Sequence, residues 1–454
     1  MKKSMILIVL IISVSFSLIL AEEKVIVAKT FDIKAPKTYK NGFSAQSCDG
    51  LVSKSLRING LGYMKKGKSE WIAGNLSATG KMRQVSTDTS YITHRGQLYD
   101  YAIDILGVGG GKLAPLVKVY NKQGKRIAWF TPFEFPETMS GYENWGYSLG
   151  VGFGPKTVAI VANRVLEKIS SGKLESIYST TYFNEISHDG SSVGTPTVLF
   201  DYSNAQDTFA IAGDPVMGTR NSWIIPIAKG NLVKDNKMRS YETNFYTGII
   251  KSGPVKPAAV KVKLNLIYKS KTTTGMPWAT IYSIAHKSGF YFVQTYPFGE
   301  ESVIHYIKST GKRAQKSVHY PLYEWLDPEI KVKGKIVELQ DISAELLQPV
   351  LEPGGNLLLP RLIKASTKVT DEISPGKKAK HIDFGRADVH RFNVKKRTFS
   401  LIAKTKPDQL PYNDFHPQSF GHFAGGDYWI IASYSNPSYT AASSTVTVFK
   451  GLIK

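Results

Sequence analysis

The feature that most constrains the fold of this chain is a succession of short β-branched and aromatic runs, with almost no helical pattern between them. The runs are four to nine residues long, and Gly, Pro, Asn and Ser bound them. Such runs are typical of β-strands separated by tight turns. They include LVKVY (116–120), TVAIVA (157–162), SWIIPIA (222–228), VKVKLNLIY (260–268), GFYFVQTY (289–296), YWIIASY (428–434) and TVTVF (445–449). Only 320–326 and 341–347 have the pattern of short helical turns, so the sequence predicts an all-β protein.

The dipeptide Gly-Lys recurs eight times, in several cases between two strand-like runs. Glycine adopts the left-handed backbone conformation of a hairpin turn without steric cost. Two of these turns belong to a longer match, in which Tyr-x-Lys and then Gly-Lys-Arg occur at 120–126 and again at 306–313. The matching glycines, Gly124 and Gly311, are 187 residues apart. That distance predicts about three structural units of roughly 60 residues between the two copies.

Many short strands, repeated hairpins and the lack of a helical layer favour a β-propeller of six to eight blades. We expect residues 22–454 to form this single all-β domain. Two packed β-sandwich domains are the alternative, with a weak seam near 251–261, where the sequence KSGPVKPAAVK carries two prolines.

Three stretches resemble FG-GAP propeller repeats. They are VKVYNKQGKRIAWFTPFE (117–134), GYSLGVGFGPKTVAIVA (146–162) and the stretch from FGHFAGGDYW to TVTVFKG (420–451). The resemblance implies a propeller fold. The Asp-rich calcium loop of those repeats is absent from these stretches, so the resemblance implies no metal site.

The N-terminus predicts export. Lys2 and Lys3 precede an uncharged apolar run from 5 to 20 that ends at Ala21, which is the pattern of a secretory signal peptide over residues 1–21. We therefore expect a secreted protein, in the periplasm or outside the cell, with no transmembrane segment apart from this signal. The single cysteine, Cys48, cannot form an intrachain disulfide, so the fold depends on its apolar core.

The charge of the chain predicts an anionic partner. The formal net charge is +22, and 243–299 contains seven lysines but no acidic residue. Residues 361–406 contain thirteen basic and four acidic side chains. Such a surface attracts polyanions in a salt-dependent way. Lysine greatly outnumbers arginine, and lysine provides diffuse attraction rather than bidentate recognition. Outside the cytoplasm, the expected partners are an acidic polysaccharide or an anionic cell surface.

A nucleotide site is not expected. The sequence GVGFGPKTVAIV (150–161) has Lys-Thr at the spacing of a phosphate-binding loop, but Pro155 replaces the second glycine. Proline removes one backbone N–H from the phosphate cradle, and the segment that follows is strand-like rather than helical. The glycines of this stretch and of 107–114 are better explained by turns, or by strands packed too closely for a side chain.

The densest group of potential metal ligands is HIDFGRADVH (381–390). A two-residue turn at Gly385-Arg386 would make this segment a hairpin and place both histidines and both aspartates on one face. Opposed carboxylates destabilise a sheet unless a cation lies between them. The segment thus predicts a site for zinc or another divalent metal. Its ligands would be His381, Asp383, Asp388 and His390.

The function predicted from these features is the binding of an acidic glycan or cell-surface polymer by an exported basic β-protein. One alternative is a lyase or hydrolase that acts on an acidic polysaccharide, with help from the metal. In a lyase, a histidine or tyrosine such as His319 or Tyr320 would abstract a proton. The other alternative is a structural protein of a surface or matrix. The sequence contains no serine-hydrolase or zinc-protease motif, so binding is favoured over catalysis.

Overall fold

The computed structural model describes most of the chain from residue 25 onward. The described segments are 25–52, 54–86, 92–98, 101–106, 116–121, 125–133, 143–170, 173–201, 208–234, 239–253, 262–269, 273–274, 280–295, 301–322, 329–332, 335–338, 340–369, 380–405, 418–435 and 440–453. The signal peptide predicted at 1–21 lies outside them. None of the helical segments in these ranges has the length and apolar character needed to cross a membrane.

The described residues are almost entirely β-strands. One short 3-10 helix, Lys65–Gly67, interrupts them. The strands up to residue 251 are β1 (Ile26–Asp32), β2 (Phe43–Val52), β3 (Ser55–Tyr63), β4 (Ser69–Leu76), β5 (Met82–Ser86), β6 (Ile92–Leu98), β7 (Tyr101–Leu106), β8 (Leu116–Tyr120), β9 (Arg126–Phe130), β10 (Glu143–Phe153), β11 (Thr157–Ser170), β12 (Lys173–Ser187), β13 (Thr197–Asp201), β14 (Thr208–Ala212), β15 (Val216–Met217), β16 (Ser222–Lys234) and β17 (Arg239–Lys251).

The second half of the chain continues in the same way. Its strands are β18 (Lys263–Lys269), β19 (Thr273–Thr274), β20 (Thr280–His286), β21 (Gly289–Thr295), β22 (Glu301–Lys308), β23 (Val318–Pro321), β24 (Glu329–Val332), β25 (Lys335–Glu338), β26 (Gln340–Leu346), β27 (Val350–Leu351), β28 (Leu357–Val369), β29 (Lys380–Asn393), β30 (Thr398–Thr405), β31 (Gln418–Ala424), β32 (Asp427–Ser435) and β33 (Ala442–Phe449).

These strands form seven consecutive four-stranded units, the blades of a β-propeller. Blades one to three are β2–β5, β6–β9 and β10–β13; blade four is β14, β16, β17 and β18. Blade five is β20–β23, blade six is β26, β28, β29 and β30, and blade seven is β31, β32, β33 and β1. The remaining short strands β15, β19 and β27 pair at blade edges, and β24 and β25 form a separate hairpin. The predicted propeller is confirmed, and the count of seven lies within the predicted range.

The first strand of each blade lies at the axis of the ring. The first strands of blades seven, one, two and three contact one another in that order. The ring is closed by the N-terminal strand, because β1 pairs antiparallel with β33 and thereby completes blade seven. The same strand pairs in parallel with β30 of blade six. Both ends of the domain are therefore tied together by backbone hydrogen bonds.

Apolar side chains fill the spaces between the blades. In β28, Leu358 and Leu362 pack toward blade seven, whereas Leu357 and Leu359 pack toward blade five. Successive side chains of a strand point to opposite faces, so a strand buried on both faces needs a nearly continuous apolar run. This explains why the apolar runs of the sequence are so dense. Clusters of this kind join six of the seven neighbouring blade pairs within the described residues.

Several local predictions can now be compared with the structure. The helical turn expected at 341–347 is wrong, because this segment is β26 and pairs with β28. The two Gly-Lys-Arg copies each follow the third strand of a blade, in blades two and five. The predicted spacing of three units is thus confirmed. The seam expected near 251–261 lies mostly outside the described residues.

The glycines at 150–152 allow two blades to approach closely. A Cβ atom on Gly150 would lie 2.6 Å from the Gly213 carbonyl oxygen, and one on Gly152 would lie 2.1 Å from the Pro215 oxygen. The strand-packing interpretation of this glycine-rich sequence is therefore confirmed. The other glycine-rich stretch, 107–114, lies outside the described residues.

Candidate functional site

One face of the propeller, which we call the basic face, carries thirteen exposed basic side chains in its described turns. Every blade is an antiparallel meander with its first strand at the axis, so all turns between first and second strands and between third and fourth strands emerge on this face. Within the described turns, every basic side chain is exposed. They are Lys54, Lys81, Lys125, Lys156, Arg220, Lys287, Lys312, Arg313, Lys316, Lys395, Lys396, Arg397 and Lys450.

The Gly-Lys turns supply several of these lysines by a common backbone geometry. In blade five, the Lys308 N–H donates to the Lys312 carbonyl oxygen at 2.8 Å, and Gly311 between them has a φ of +79°. Blade one repeats the arrangement with Gly80, which has a φ of +81°. The left-handed glycine turns the chain, and the next residue, a lysine, resumes the strand at the edge of the face. The predicted role of these glycines is confirmed.

The carboxylates on the basic face are occupied within the protein. Asp189 accepts hydrogen bonds from the Ser187 and Ser191 hydroxyls at 2.7 and 2.6 Å, and these bonds lower its pKa to about 2. Glu352 pairs with Arg391 at 2.8 Å. Negative charge that could neutralise the thirteen exposed cations is therefore scarce among the described turns. The face presents an uncompensated positive field.

A cavity of about 330 Å³, the channel-mouth cavity, opens where the axis meets the basic face. Blades four to seven all contribute to its lining. Its walls are Asp214, Tyr282, Ser283, Ile284, Ala285, Gln348, Pro349, Val350, Leu351, His422 and Phe423. Apolar walls with a few converging polar groups are typical of small-ligand sites.

Hydrogen bonds fix the backbone around the channel-mouth cavity. Asp214 accepts a hydrogen bond from the Val151 N–H at 2.9 Å, and the Ser283 hydroxyl donates to the Asp214 carbonyl oxygen at 2.7 Å. The Tyr282 hydroxyl donates to the Leu346 carbonyl oxygen at 3.1 Å, and burial raises the pKa of Tyr282 well above its ordinary value. The walls are therefore held in place by contacts between blades.

The hairpin from which the metal site at 381–390 was predicted does not form. No turn forms at Gly385-Arg386: the segment lies inside the single strand β29, paired with β28 throughout. At about 3.3 Å per residue, positions 381 and 390 are separated by roughly 30 Å of strand and do not face each other across a turn. The side chains of His381 and Asp383 lie outside the described set. Among described residues, no group of three metal-ligating side chains occurs.

The other two predicted ligands belong to a buried ion-pair network between blades five and six. Asp388 receives both Nε and Nη2 of Arg361, at 2.7 and 3.0 Å, and Arg386 Nη2 lies 3.4 Å from the same carboxylate. His390 Nδ1 lies 2.9 Å from the Tyr320 hydroxyl oxygen. Burial lowers the pKa of His390 to about 4. Arginine thus occupies the carboxylate for which a cation was predicted, and sequence reasoning did not identify Arg361.

A second buried carboxylate, Glu185, lies between blades three and four. The Trp223 indole N–H donates to it at 2.9 Å and the Gly253 N–H at 2.8 Å, and the hydroxyls of Thr157 and Ser252 also donate to it. Burial alone would raise the pKa of Glu185, but these four donors together lower it. The arrangement joins two blades through a single anion, and no motif around Glu185 predicted it.

His319, which the sequence suggested as a catalytic base, lies on the rim of the propeller between two partners. Its Nδ1 is 3.0 Å from Glu301, and its Nε2 is 3.1 Å from the Tyr268 hydroxyl oxygen. The neighbouring Tyr320 points into the core and does not share this surface. Of the two residues that the sequence suggested for proton abstraction, only His319 is therefore at the surface, where Tyr268 is its hydrogen-bond partner.

The acid-free segment 243–299 contributes cations in several places. Lys251, Lys263, Lys269 and Lys287 are exposed, and Lys251 and Lys287 lie at the basic face. The segment's other three lysines, at 256, 261 and 271, lie outside the described residues. The described part of this segment thus extends the positive charge of the basic face.

Comparison with known proteins gives no family assignment. No family model matches the chain, and no curated protein matches it. Similar solved structures include an α-L-arabinofuranosidase of Fusarium graminearum in complex with an iminosugar inhibitor, with 10% identity, a TM-score of 0.40 and coverage of 80% of this chain and 97% of that one. An apocarotenoid oxygenase of Synechocystis has 10% identity, a TM-score of 0.36 and coverage of 76% and 71%.

The β-propeller domain of the Trilobed protease from Pyrococcus furiosus is also similar, with 7% identity, a TM-score of 0.35 and coverage of 86% of this chain and 89% of that domain. These three proteins differ in activity, and the likenesses are too distant to support a functional argument. The fold assignment rests instead on the seven four-stranded units and on the closure of the ring by β1. The described residues form a seven-bladed, all-β propeller.

Proposed function

We propose that the protein is exported and binds an acidic polysaccharide through its basic face. The observation that carries this proposal is the set of thirteen exposed lysines and arginines in the described turns of one face, where the carboxylates are already engaged. Lysine is a compact, strongly hydrated charge that suits diffuse attraction to a polyanion. A repetitive acidic chain could contact several blades at once, which strengthens binding without any single strong contact.

The test compares two charge-reversal variants of equal net charge. The first changes Lys81, Lys125 and Lys312 to Glu, all in third-to-fourth strand turns of the basic face. The control changes Lys37, Lys40 and Lys68 to Glu; these are exposed and lie in connections of the opposite face. Binding to polygalacturonate is measured by calorimetry at low and at physiological salt, with single-stranded DNA as the competing polyanion.

We expect the basic-face variant to bind polygalacturonate at least about tenfold more weakly than the control variant, with a weaker salt dependence. Equal losses in both variants would show that only net charge matters and would contradict a binding face. Tighter binding to DNA than to polygalacturonate would contradict the choice of polysaccharide. An affinity that is insensitive to salt would contradict an electrostatic mechanism altogether.

A second candidate function, cleavage of the same class of polymer, is favoured by the contacts of His319. A carboxylate on one side of an imidazole and a phenol on the other is an arrangement that can move a proton. A lyase would remove the proton next to a uronate carboxylate and expel the glycosidic oxygen, which leaves an unsaturated uronate. If the ultraviolet absorbance of the unsaturated uronate appears with the wild type and is lost in His319→Ala, catalysis is established. If this absorbance does not appear with the wild type, the activity is excluded on the polymer tested.

A further inference from the structure

The channel-mouth cavity differs chemically from the basic face that surrounds it. Its polar lining includes the carboxylate of Asp214, the imidazole of His422, the amide of Gln348 and the hydroxyl of Ser283. Burial lowers the pKa of His422, so its ring is neutral at pH 7. Among the described residues that line the cavity, none is a lysine or an arginine. The formal charge of this described lining is negative, in contrast to the basic face around it.

The polar groups of the cavity both donate and accept hydrogen bonds. A neutral imidazole has one donor and one acceptor, and an amide side chain has both. Among the described residues, the side chains of His422 and Gln348 have no hydrogen-bond partner. Hydroxyl groups are the ligand groups that match this mixture, because each of them donates and accepts. A phosphate or sulfate, which only accepts, would be repelled by the Asp214 carboxylate.

The rest of the cavity wall is apolar and includes an aromatic ring. Ile284, Pro349, Val350 and Leu351 line it together with Phe423. A sugar ring has apolar C–H faces as well as hydroxyl edges, so it can satisfy both kinds of wall at once. The volume of about 330 Å³ lies at the lower end of the range for small-molecule sites. It is suited to one or two rings rather than to a long chain.

We infer that the channel-mouth cavity binds one neutral, polyhydroxylated unit, such as a monosaccharide ring, through Asp214, Gln348 and His422. This site is distinct from the basic face and does not depend on the binding of a polyanion there. Asp214 and the Ser283 hydroxyl are fixed by hydrogen bonds between blades three, four and five. The site is thus preorganised, and little conformational entropy is lost when a ligand enters.

The experiment titrates the full secreted chain with methyl glycosides of neutral hexoses and pentoses, observed by saturation-transfer NMR. The variants are Gln348→Ala and His422→Ala, which remove hydrogen-bonding groups, and Ala285→Phe, which fills the cavity from an exposed position. The matched control is Gln315→Ala, an exposed glutamine in the turn between β22 and β23 and outside the cavity lining. Circular dichroism establishes that each variant is folded.

We expect at least one glycoside to bind the wild type and the control alike. Binding should weaken about tenfold or more in Gln348→Ala and His422→Ala and disappear in Ala285→Phe. Unchanged binding in Ala285→Phe, or wild type that binds no glycoside in the panel, would overturn the inference. Titration of the same variants with polygalacturonate separates the two sites. Loss of glycoside binding in the cavity should leave polygalacturonate binding to the basic face intact, and loss of polygalacturonate binding should leave glycoside binding intact.

Discussion

Arg361 and Asp388 form a buried two-point ion pair, in which Nε and Nη2 of the arginine lie 2.7 and 3.0 Å from the two carboxylate oxygens. Both side chains are almost completely buried, and the third nitrogen of Arg361 donates to the Leu322 carbonyl oxygen of blade five. The pair thus links the second and third strands of blade six to the neighbouring blade. Asp388 raises the pKa of Arg361 despite its burial, so the arginine remains charged.

Replacing Asp388 by Asn should strongly destabilise the propeller. The change leaves Arg361 and Arg386 as buried cations without their anion, at a cost of about 3–5 kcal/mol in the free energy of unfolding. Urea denaturation measures this cost. The control is Asp427→Asn, a half-buried aspartate that accepts the Gly451 N–H, for which we expect a loss of about 1 kcal/mol. Similar losses in both variants would mean that the ion pair is not needed for stability.

The stability of the protein should fall at acidic pH in part through Glu185. Its four donors hold its pKa in the folded state below its ordinary value. The stabilisation is therefore complete above the pKa of the unfolded chain and is lost as the pH falls through the lower pKa of the folded state. Glu185→Gln should lower the melting temperature at neutral pH and flatten its acid dependence. The control, Glu345→Gln, is at an exposed position and should leave the acid dependence of the melting temperature unchanged. If the melting temperatures of the wild type and Glu185→Gln depended equally on acidic pH, this account would be contradicted.

Gly80 should be intolerant of a side chain, for two reasons. Its φ of +81° disfavours other residues, and a Cβ atom there would lie 2.2 Å from the Asp32 carbonyl oxygen at the end of β1. We expect Gly80→Ala to reduce the free energy of unfolding by about 1–3 kcal/mol. Gly354→Ala is the control, because a Cβ atom there has no neighbour within 4 Å. Equal stability of the two variants in urea would be inconsistent with this close approach.

The closure of the ring can be tested at two adjacent residues of β1. Ala28 is buried in the cluster between blades six and seven, whereas Val27 is 55% exposed. Ala28→Asp places an unpaired charge in an apolar space and should destabilise the fold by several kcal/mol, on the order of 3. Val27→Asp should change stability by less than about 1 kcal/mol. Hydrogen exchange should show faster opening of β30 and β33 in Ala28→Asp alone; slow exchange there would argue against closure by β1.

The sequence predicted those features that depend on local pattern. The apolar runs predicted strands, and the Gly-Lys turns at Gly80 and Gly311 predicted left-handed hairpins, because each depends on a few adjacent residues. The hairpin at 381–390 was wrong for a related reason: Gly385 matches a turn locally, but β28 pairs with β29 on both sides of Gly385 and extends the strand through it. A tertiary ladder of backbone hydrogen bonds outweighs a single turn preference.

The candidate sites could be foreseen only in part. The excess of lysine was visible in the sequence, but the position of Lys81, Lys125 and Lys312 in equivalent turns of one face follows from the order of strands in the blades. The channel-mouth cavity brings together Asp214 and His422, which are distant in sequence, and no spacing rule connects them. The same holds for Arg361 and Asp388, since no sequence motif at either residue identifies the other as its partner.

The most direct test of the account is a lysine footprint of the protein bound to polygalacturonate. Exposed lysines are acetylated with and without the polymer at low salt, and the modification of each is quantified by mass spectrometry. We predict protection of Lys81, Lys125 and Lys312 on the basic face and unchanged labelling of Lys37, Lys40 and Lys68 on the opposite face, with the protection lost at high salt. Protection of the opposite face, or equal protection of both, would contradict the proposal that the basic face is the binding surface.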